Sequence, residues 1–427
     1  ELSCLKKNYR SALKHIGKSL SLNNQEPKSL ALRAAILRKL GRHDESQQMA
    51  ARGLAVDPLD FLCRNELLLV KRREDSGNSA AKKELRELEQ LMRGDVQSYL
   101  ELAIDYMNWG MWTEAIDILK RPVRAKTEFA STYPLIHYCL GFAYSQQGRD
   151  EQSKAAYERA AKMPVDFCFP YRLEEMHILQ AALCVNPQDA KASYYLGNLL
   201  YELQPDQAIA YWQQARELDN SSALVHRNLG WAQYRSKQNI PEAIACYEQA
   251  VQCSQLDPRF FLELDVLYEL GNVDPARRLE VLQGNHEMVA KRQESLTREI
   301  MVLVLTGQLD KAVDYLANSR FHGHEGREII HDVFVDAHLL RGLARAQQGE
   351  WKEALADFEK ASEYPENLSV GRPKNDPRAP EVAFFTGRAL AALGDEAGAK
   401  QQFEKSASQQ DTERWPETRF YQAMSMA

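Results

Sequence analysis

The chain has 427 residues, 44% hydrophobic and 27% charged, with a formal net charge of −6. That balance argues against nucleic acid or an acidic membrane as partner, because such proteins carry a basic stripe, and no apolar run approaches the ~18 residues of a bilayer-spanning helix. The seven cysteines are odd in number, widely scattered and without a CxxC pair, which fits free thiols in a reducing cytoplasm better than a disulfide framework or zinc site.

Taken in order, Tyr9–Leu22 reads as the second helix of a hairpin, with Ala12, Ile16 and Ser19 turned toward a first helix that is mostly missing. The opening Glu1-Leu2-Ser3-Cys4 lacks a methionine, so the expectation is a piece of a longer protein. Pro27–Pro58 is a complete hairpin: Leu30, Ala34 and Leu37 on a first helix (A), Gly41 at the turn, Ser46, Ala50 and Gly53 on a second (B). Asp57-Pro58 stops it, since proline lacks an N–H and clashes with the preceding turn. Phe61–Met92 is a longer, divergent hairpin interrupted by the polar stretch 75–78. Val96–Pro122 and Pro134–Pro164 return to pattern, and Tyr171–Val185 reads as an extra helix.

Ala190–Asn220 is the clearest unit. Tyr194, Leu196, Gly197 and Leu200 share one side of its first half, and Ala208, Trp212 and Ala215 one side of its second. Ala223–Pro258 repeats it through Leu229, Gly230, Ala243, Tyr247 and Ala250. Arg259–Leu282, Glu294–Ser319, Val335–Ala361 and Pro380–Ser406 follow, with Gly271, Gly307, Gly349 and Gly394 at their turns in the register of Gly41, Gly110 and Gly148. Residues 407–427, with Trp415, Phe420 and Tyr421, read as a capping segment over the last repeat, as solenoid ends require.

This recurrence resembles the tetratricopeptide repeat, a helix–turn–helix unit of about 34 residues, and about ten units fit. The reading predicts an all-α, right-handed superhelical solenoid over residues 1–427 with no substantial sheet. Tyr144, Tyr157, Trp212, Tyr247 and Phe358 fall at core positions, where burial makes neighbouring units stack.

Two stretches break the repeat. Residues 318–332 read as an inserted loop holding His322, His324, Glu325, His331 and Asp332, unless helix A of the next repeat already begins at Ile329. These are donor types for a transition metal, but the spacing matches no known structural site, and a polar loop on the concave face is preferred. No metal and no cofactor are expected. Residues 364–380 form the second inserted loop, with Asn367 and Arg372, whose guanidinium suits a carboxylate or another anion. A third cluster comprises Arg172, Asn198, His226 and Asn228; in such solenoids helix A lines the concave groove, and polar groups there commonly clamp peptide termini or acidic groups. The two insertions flank one repeat and are expected on the same side.

Phe169-Pro170-Tyr171-Arg172-Leu173-Glu174-Glu175, Tyr194–Tyr201, Arg320-Phe321-His322 with Glu325-Gly326 and His331-Asp332, and Tyr364–Leu368 through Gly371-Arg372-Pro373 are similar to an uncharacterised bacterial family. Gly323 departs from the bulkier residues usual there. The resemblance implies an N-terminal β domain of carbohydrate-enzyme type ahead of the repeats, and a link to carbohydrate metabolism. The expected function is a non-catalytic binding scaffold whose partner is a protein or that β domain, with a carbohydrate as a further candidate. The alternative is an accessory part of a carbohydrate-active enzyme whose inserted loops complete a sugar site, which requires His322, Glu325 and Arg372 to converge.

Overall fold

The structure, a computed structural model, describes residues 1–74, 79–125, 132–322, 329–408 and 417–426. Among these every regular element is a helix, and none is long and apolar enough to cross a membrane. The chain divides into two compact units, Glu1–Asn220 and Ser221–Ala427, each a stack of helix hairpins.

In the first unit the short helix Leu2–Leu5 and helix Tyr9–Leu22 precede four hairpins. These are Pro27–Lys39 with His43–Val56, Phe61–Glu74 with Ser79–Met92, Val96–Asn108 with Trp112–Ala125, and Pro134–Ser145 with Asp150–Ala161. The single helix Leu173–Val185 comes before the last pair, Ala190–Leu200 with Pro205–Leu218. In the second unit Ala223–Arg235 pairs with Ile240–Cys253 and Pro258–Leu270 with Pro275–Gly284. After the short His286–Val289 come Gln293–Leu305 with Leu309–Asn318, Ile329–Gln347 with Trp351–Ala361, and Ala379–Ala392 with Glu396–Ser408. Helix Glu417–Met426 lies against the last pair, where Tyr421 meets the rings of Phe384 and Phe385 at 5.6 and 5.5 Å. The 75–78 stretch and Trp415 lie outside the described residues.

Local chemistry sets the boundaries. Pro27, Pro134, Pro205, Pro258 and Pro275 begin their helices, where the missing N–H costs nothing. Asp95, Asp189, Asn239 and Asp257 accept first-turn backbone N–H groups. The turn glycines take the left-handed region, with φ of 79° at Gly41 and 83° at Gly349. Gly271 shares the turn register but not this conformation: its φ is −84°, and Asn272, at 52°, is the left-handed residue. Glycine serves space there instead, because a Cβ would lie 2.9 Å from Ile244 Cδ1.

A helix-A glycine facing a helix-B ring is the recurrent packing unit. A Cβ on Gly141 or Gly230 would lie 2.5 Å from the ring of Tyr157 or Tyr247, and one on Gly387 would lie 2.8 Å from Phe403. Gly197 faces Trp212, and Gly342 faces Phe358, at least as closely. Each ring therefore fills the groove that its glycine leaves open, which fixes the approach of the paired helices.

Buried charge is organised in networks. In the second unit Asp357, almost fully buried, accepts hydrogen bonds from Arg341 Nη2 (2.6 Å) and Arg345 Nη1 (2.9 Å), and His338 Nδ1 lies 3.3 Å away. Burial alone would push its carboxyl up; the hydrogen bonds from His338 and Arg341 and the charges of Arg341 and Arg345 outweigh it and hold the carboxyl below the ordinary aspartate range. A depressed folded value means stability fully present above the unfolded value and lost as pH falls through the folded one. Asp357→Asn is expected to cost about 2 kcal/mol at neutral pH. In urea titrations that difference should narrow as pH falls below about 4; a difference independent of pH would contradict the network.

The fourth helix A of the second unit begins at Ile329, so His331 and Asp332 sit in its first turn and not in the inserted loop. Ile330, Val333 and Phe334 form a buried apolar face that sets this start.

Candidate functional site

In the second unit a cleft of about 230 Å³ opens between successive A helices. Helix Pro258–Leu270 supplies Leu262 and Val266, and helix Gln293–Leu305 supplies Thr297, Arg298 and Met301. Phe321 and His322 of the first insertion and Ile329 and Ile330 of the next helix complete the wall with Gln293 and Glu294. The lining is mainly apolar. Arg298 is held at its base by Asp265 (2.6 Å) and Glu269 (2.7 Å), so its charge is neutralised locally. Burial would lower the guanidinium's pKa, but these carboxylates raise it above its ordinary value.

The two insertions meet, and their contact places the wall of the cleft. Phe321, only 3% exposed, donates its N–H to Asn367 O at 2.8 Å and accepts at its carbonyl from Ser369 Oγ at 2.7 Å. Asn367 Nδ2 donates to Leu316 O and Ser319 O, both at 2.8 Å. Gln293 brackets the next residue: His322 N–H donates to its Oε1 (2.7 Å), and its Nε2 donates to His322 O (3.1 Å). Asn367→Ala removes two bonds to chain carbonyls and is expected to cost about 1–2 kcal/mol. Amide exchange at Phe321 should accelerate with it; unchanged protection there would show that the brace does not hold the loop.

The sequence-derived candidates separate in the structure. His322 lines the cleft, whereas His324 and Glu325 lie outside the described residues. His331 is buried and acts inside the fold: Nε2 lies 2.9 Å from Glu363 O, and its ring stacks on Tyr364 at 3.8 Å. Arg372 donates to Ser362 O at 2.6 Å and lies over the Tyr364 ring at 5.1 Å. His331, Asn367 and Arg372 thus brace the second insertion, and Arg372 is not part of the cleft wall that contains His322. In the first unit Arg172 bonds Glu175 and Glu101, each at 3.0 Å, at the start of helix Leu173–Val185. Asn198 Oδ1 accepts from Trp212 Nε1 at 3.1 Å and so fixes the ring over Gly197. In the second unit His226 is buried and Asn228 half-buried on helix Ala223–Arg235, where Arg227 pairs with Glu263 at 2.6 Å.

Sequence reasoning missed the apolar wall: Leu262, Val266, Met301, Phe321 and Ile329. A signal existed. Leu262 and Val266 are four apart on a helix whose core register runs through Phe260, Leu264 and Leu267, and Thr297 and Met301 have the same spacing on the next helix A. Apolar residues off the core register mark a second apolar face.

Models of the tetratricopeptide repeat match residues 136–164, 203–258 and 336–367. Among solved structures the chain is similar to YrrB, described as a TPR protein with an unusual peptide-binding site, at 16% identity, covering 56% of this chain and 92% of that one, with a TM-score of 0.19. It is similar to Pseudomonas aeruginosa PilF at 16% identity over 52% of this chain and 89% of that one, TM-score 0.29. With yeast Tom70 the identity is 12% over 99% of this chain and 92% of that one, TM-score 0.29. At these scores the likenesses carry no functional argument. Each stretch matched by a repeat model contains a glycine-on-ring pair (Gly141 with Tyr157, Gly230 with Tyr247, Gly342 with Phe358), and Gly387 with Phe403 shows the same packing outside them: the chain carries tetratricopeptide repeats.

Proposed function

We propose that this chain is a non-catalytic scaffold that binds a protein partner on the A-helix face of its repeats, with the cleft beside Phe321 and His322 as a contact point. The observation that carries the reading is the character of the cleft: an apolar lining whose interior charge, Arg298, is already neutralised by Asp265 and Glu269. Its volume of about 230 Å³ suits one side chain presented by a larger partner.

The proposed setting is the C-terminal part of a larger bacterial protein linked to carbohydrate metabolism, with its own N-terminal β domain as a candidate partner; the setting rests on the family resemblance. The sugar-site alternative is weaker, because Arg372 is engaged with Ser362 and Tyr364 away from His322. Selection from a displayed random-peptide library, with calorimetry against a panel of oligosaccharides, tests the reading. Retained peptides and no sugar heats are expected. Saturable sugar binding with no peptide retained would replace the scaffold by the alternative.

A further inference from the structure

Resting on the scaffold reading, we infer that the cleft receives one bulky aliphatic or aromatic side chain of an extended partner segment whose neighbouring residues are acidic. The apolar half of that chemistry comes from Leu262, Val266, Met301, Phe321 and Ile330. Ile329 at the same wall is 51% exposed, so apolar surface is left in water until something covers it.

The acidic half comes from what borders the cleft. A second, more polar concavity shares Gln293, Glu294 and His322 with it and adds Lys291, Arg292 and Arg320. Among the described residues the carboxylates lining these two concavities or paired with their cations are already engaged: Glu294 pairs with Arg292 at 3.1 Å, and Asp265 and Glu269 with Arg298. Lys291 and Arg320 are both exposed, and neither has a carboxylate partner within ion-pair distance among the described residues. Two exposed cations with no carboxylate partner among the described residues, beside an apolar cleft, favour a carboxylate next to the inserted side chain and disfavour a basic segment. The rim is preorganised, because Gln293 fixes the His322 backbone on both its N–H and its C=O. Less ordering is then required on binding.

The test uses the full chain and a short dye-labelled peptide carrying one leucine flanked by aspartates, read by fluorescence anisotropy. Controls have lysines in place of the aspartates, or serine in place of the leucine. The wild type should bind the aspartate–leucine peptide and neither control. Lys291→Glu with Arg320→Glu should weaken that peptide about tenfold or more and bring up the lysine-flanked one. Met301→Trp, which fills the cleft, should abolish binding while thermal melts stay close to wild type. If Met301→Trp unfolds the chain, Thr297→Arg serves instead. Equal binding of all three peptides, or binding indifferent to the cleft and rim variants, overturns the inference and leaves the scaffold reading to its library selection. A concentration-dependent dimer in sedimentation that Met301→Trp dissociates, with no peptide bound, would assign the cleft to a second copy and equally overturn it.

Discussion

Glu66→Ala is expected to destabilise the first unit by about 3–5 kcal/mol, because it removes the main counter-charge of a nearly buried arginine. Glu66 is 0% exposed and accepts Arg38 Nε at 2.7 Å, Arg38 Nη2 at 3.0 Å and the Tyr106 hydroxyl at 2.6 Å. Asn65 extends the network, donating to Tyr106 Oη at 2.9 Å and accepting from Arg121 Nη2 at 2.7 Å. Burial by itself would lower the Arg38 guanidinium's pKa; Glu66, its principal partner, raises it well above the ordinary arginine value. Without Glu66 only Glu114, 2.9 Å from Arg38 Nη1, remains. Replacing both partners with apolar residues, Glu66→Leu with Arg38→Met, should recover much of the loss, since desolvation is then no longer required. Urea denaturation of the single and double variants decides it. A loss near zero for Glu66→Ala would mean that the network contributes no stability.

Gly197→Leu is the second large effect. The ring of Trp212 occupies the place of even a first methyl at Gly197, and that ring is held by hydrogen bonds to Asn198 Oδ1 and Tyr194 O at 3.1 and 3.3 Å. Helices Ala190–Leu200 and Pro205–Leu218 must therefore separate or the indole must leave its site, an overpacking cost of about 1–3 kcal/mol or more. Thermal unfolding should show it, and Gly342→Leu in the second unit should behave alike against Phe358. Gly41→Leu makes the contrast: nothing lies within 4 Å of its Cβ position, and its cost would come from the left-handed φ of 79° instead. Unchanged midpoints in both packing variants would count against the glycine-on-ring unit.

These cases show what could be read from residues alone. The hairpins were legible because Gly141, Gly197, Gly230 and Gly342 recur with their rings 15 to 17 residues further on, and spacing is a property of sequence. Gly271 misled because glycine serves two purposes, space and left-handed backbone, and only coordinates say which. His331 looked like part of a donor cluster. It is buried in a helix whose start is set by Ile330, Val333 and Phe334 and whose ring partner, Tyr364, lies far along the chain. Asn367 and Arg372 were recognised as unusual, but their partners are the carbonyls of Leu316, Ser319 and Ser362. Backbone acceptors are identical at every residue, so no motif marks them. The cleft itself is made by side chains from separate A helices and a loop, and becomes a site only when stacking brings them together.

Hydrogen exchange on the full chain, with and without the tightest peptide from the library selection, tests the central claim most directly. The account predicts slowed exchange in three stretches that line the cleft: Leu262–Val266, Gln293–Met301 and the backbone at Phe321, His322 and Ile330. Protection confined elsewhere, for example to the exposed Phe167, Phe169, Tyr171 and Leu173 of the first unit, would contradict it.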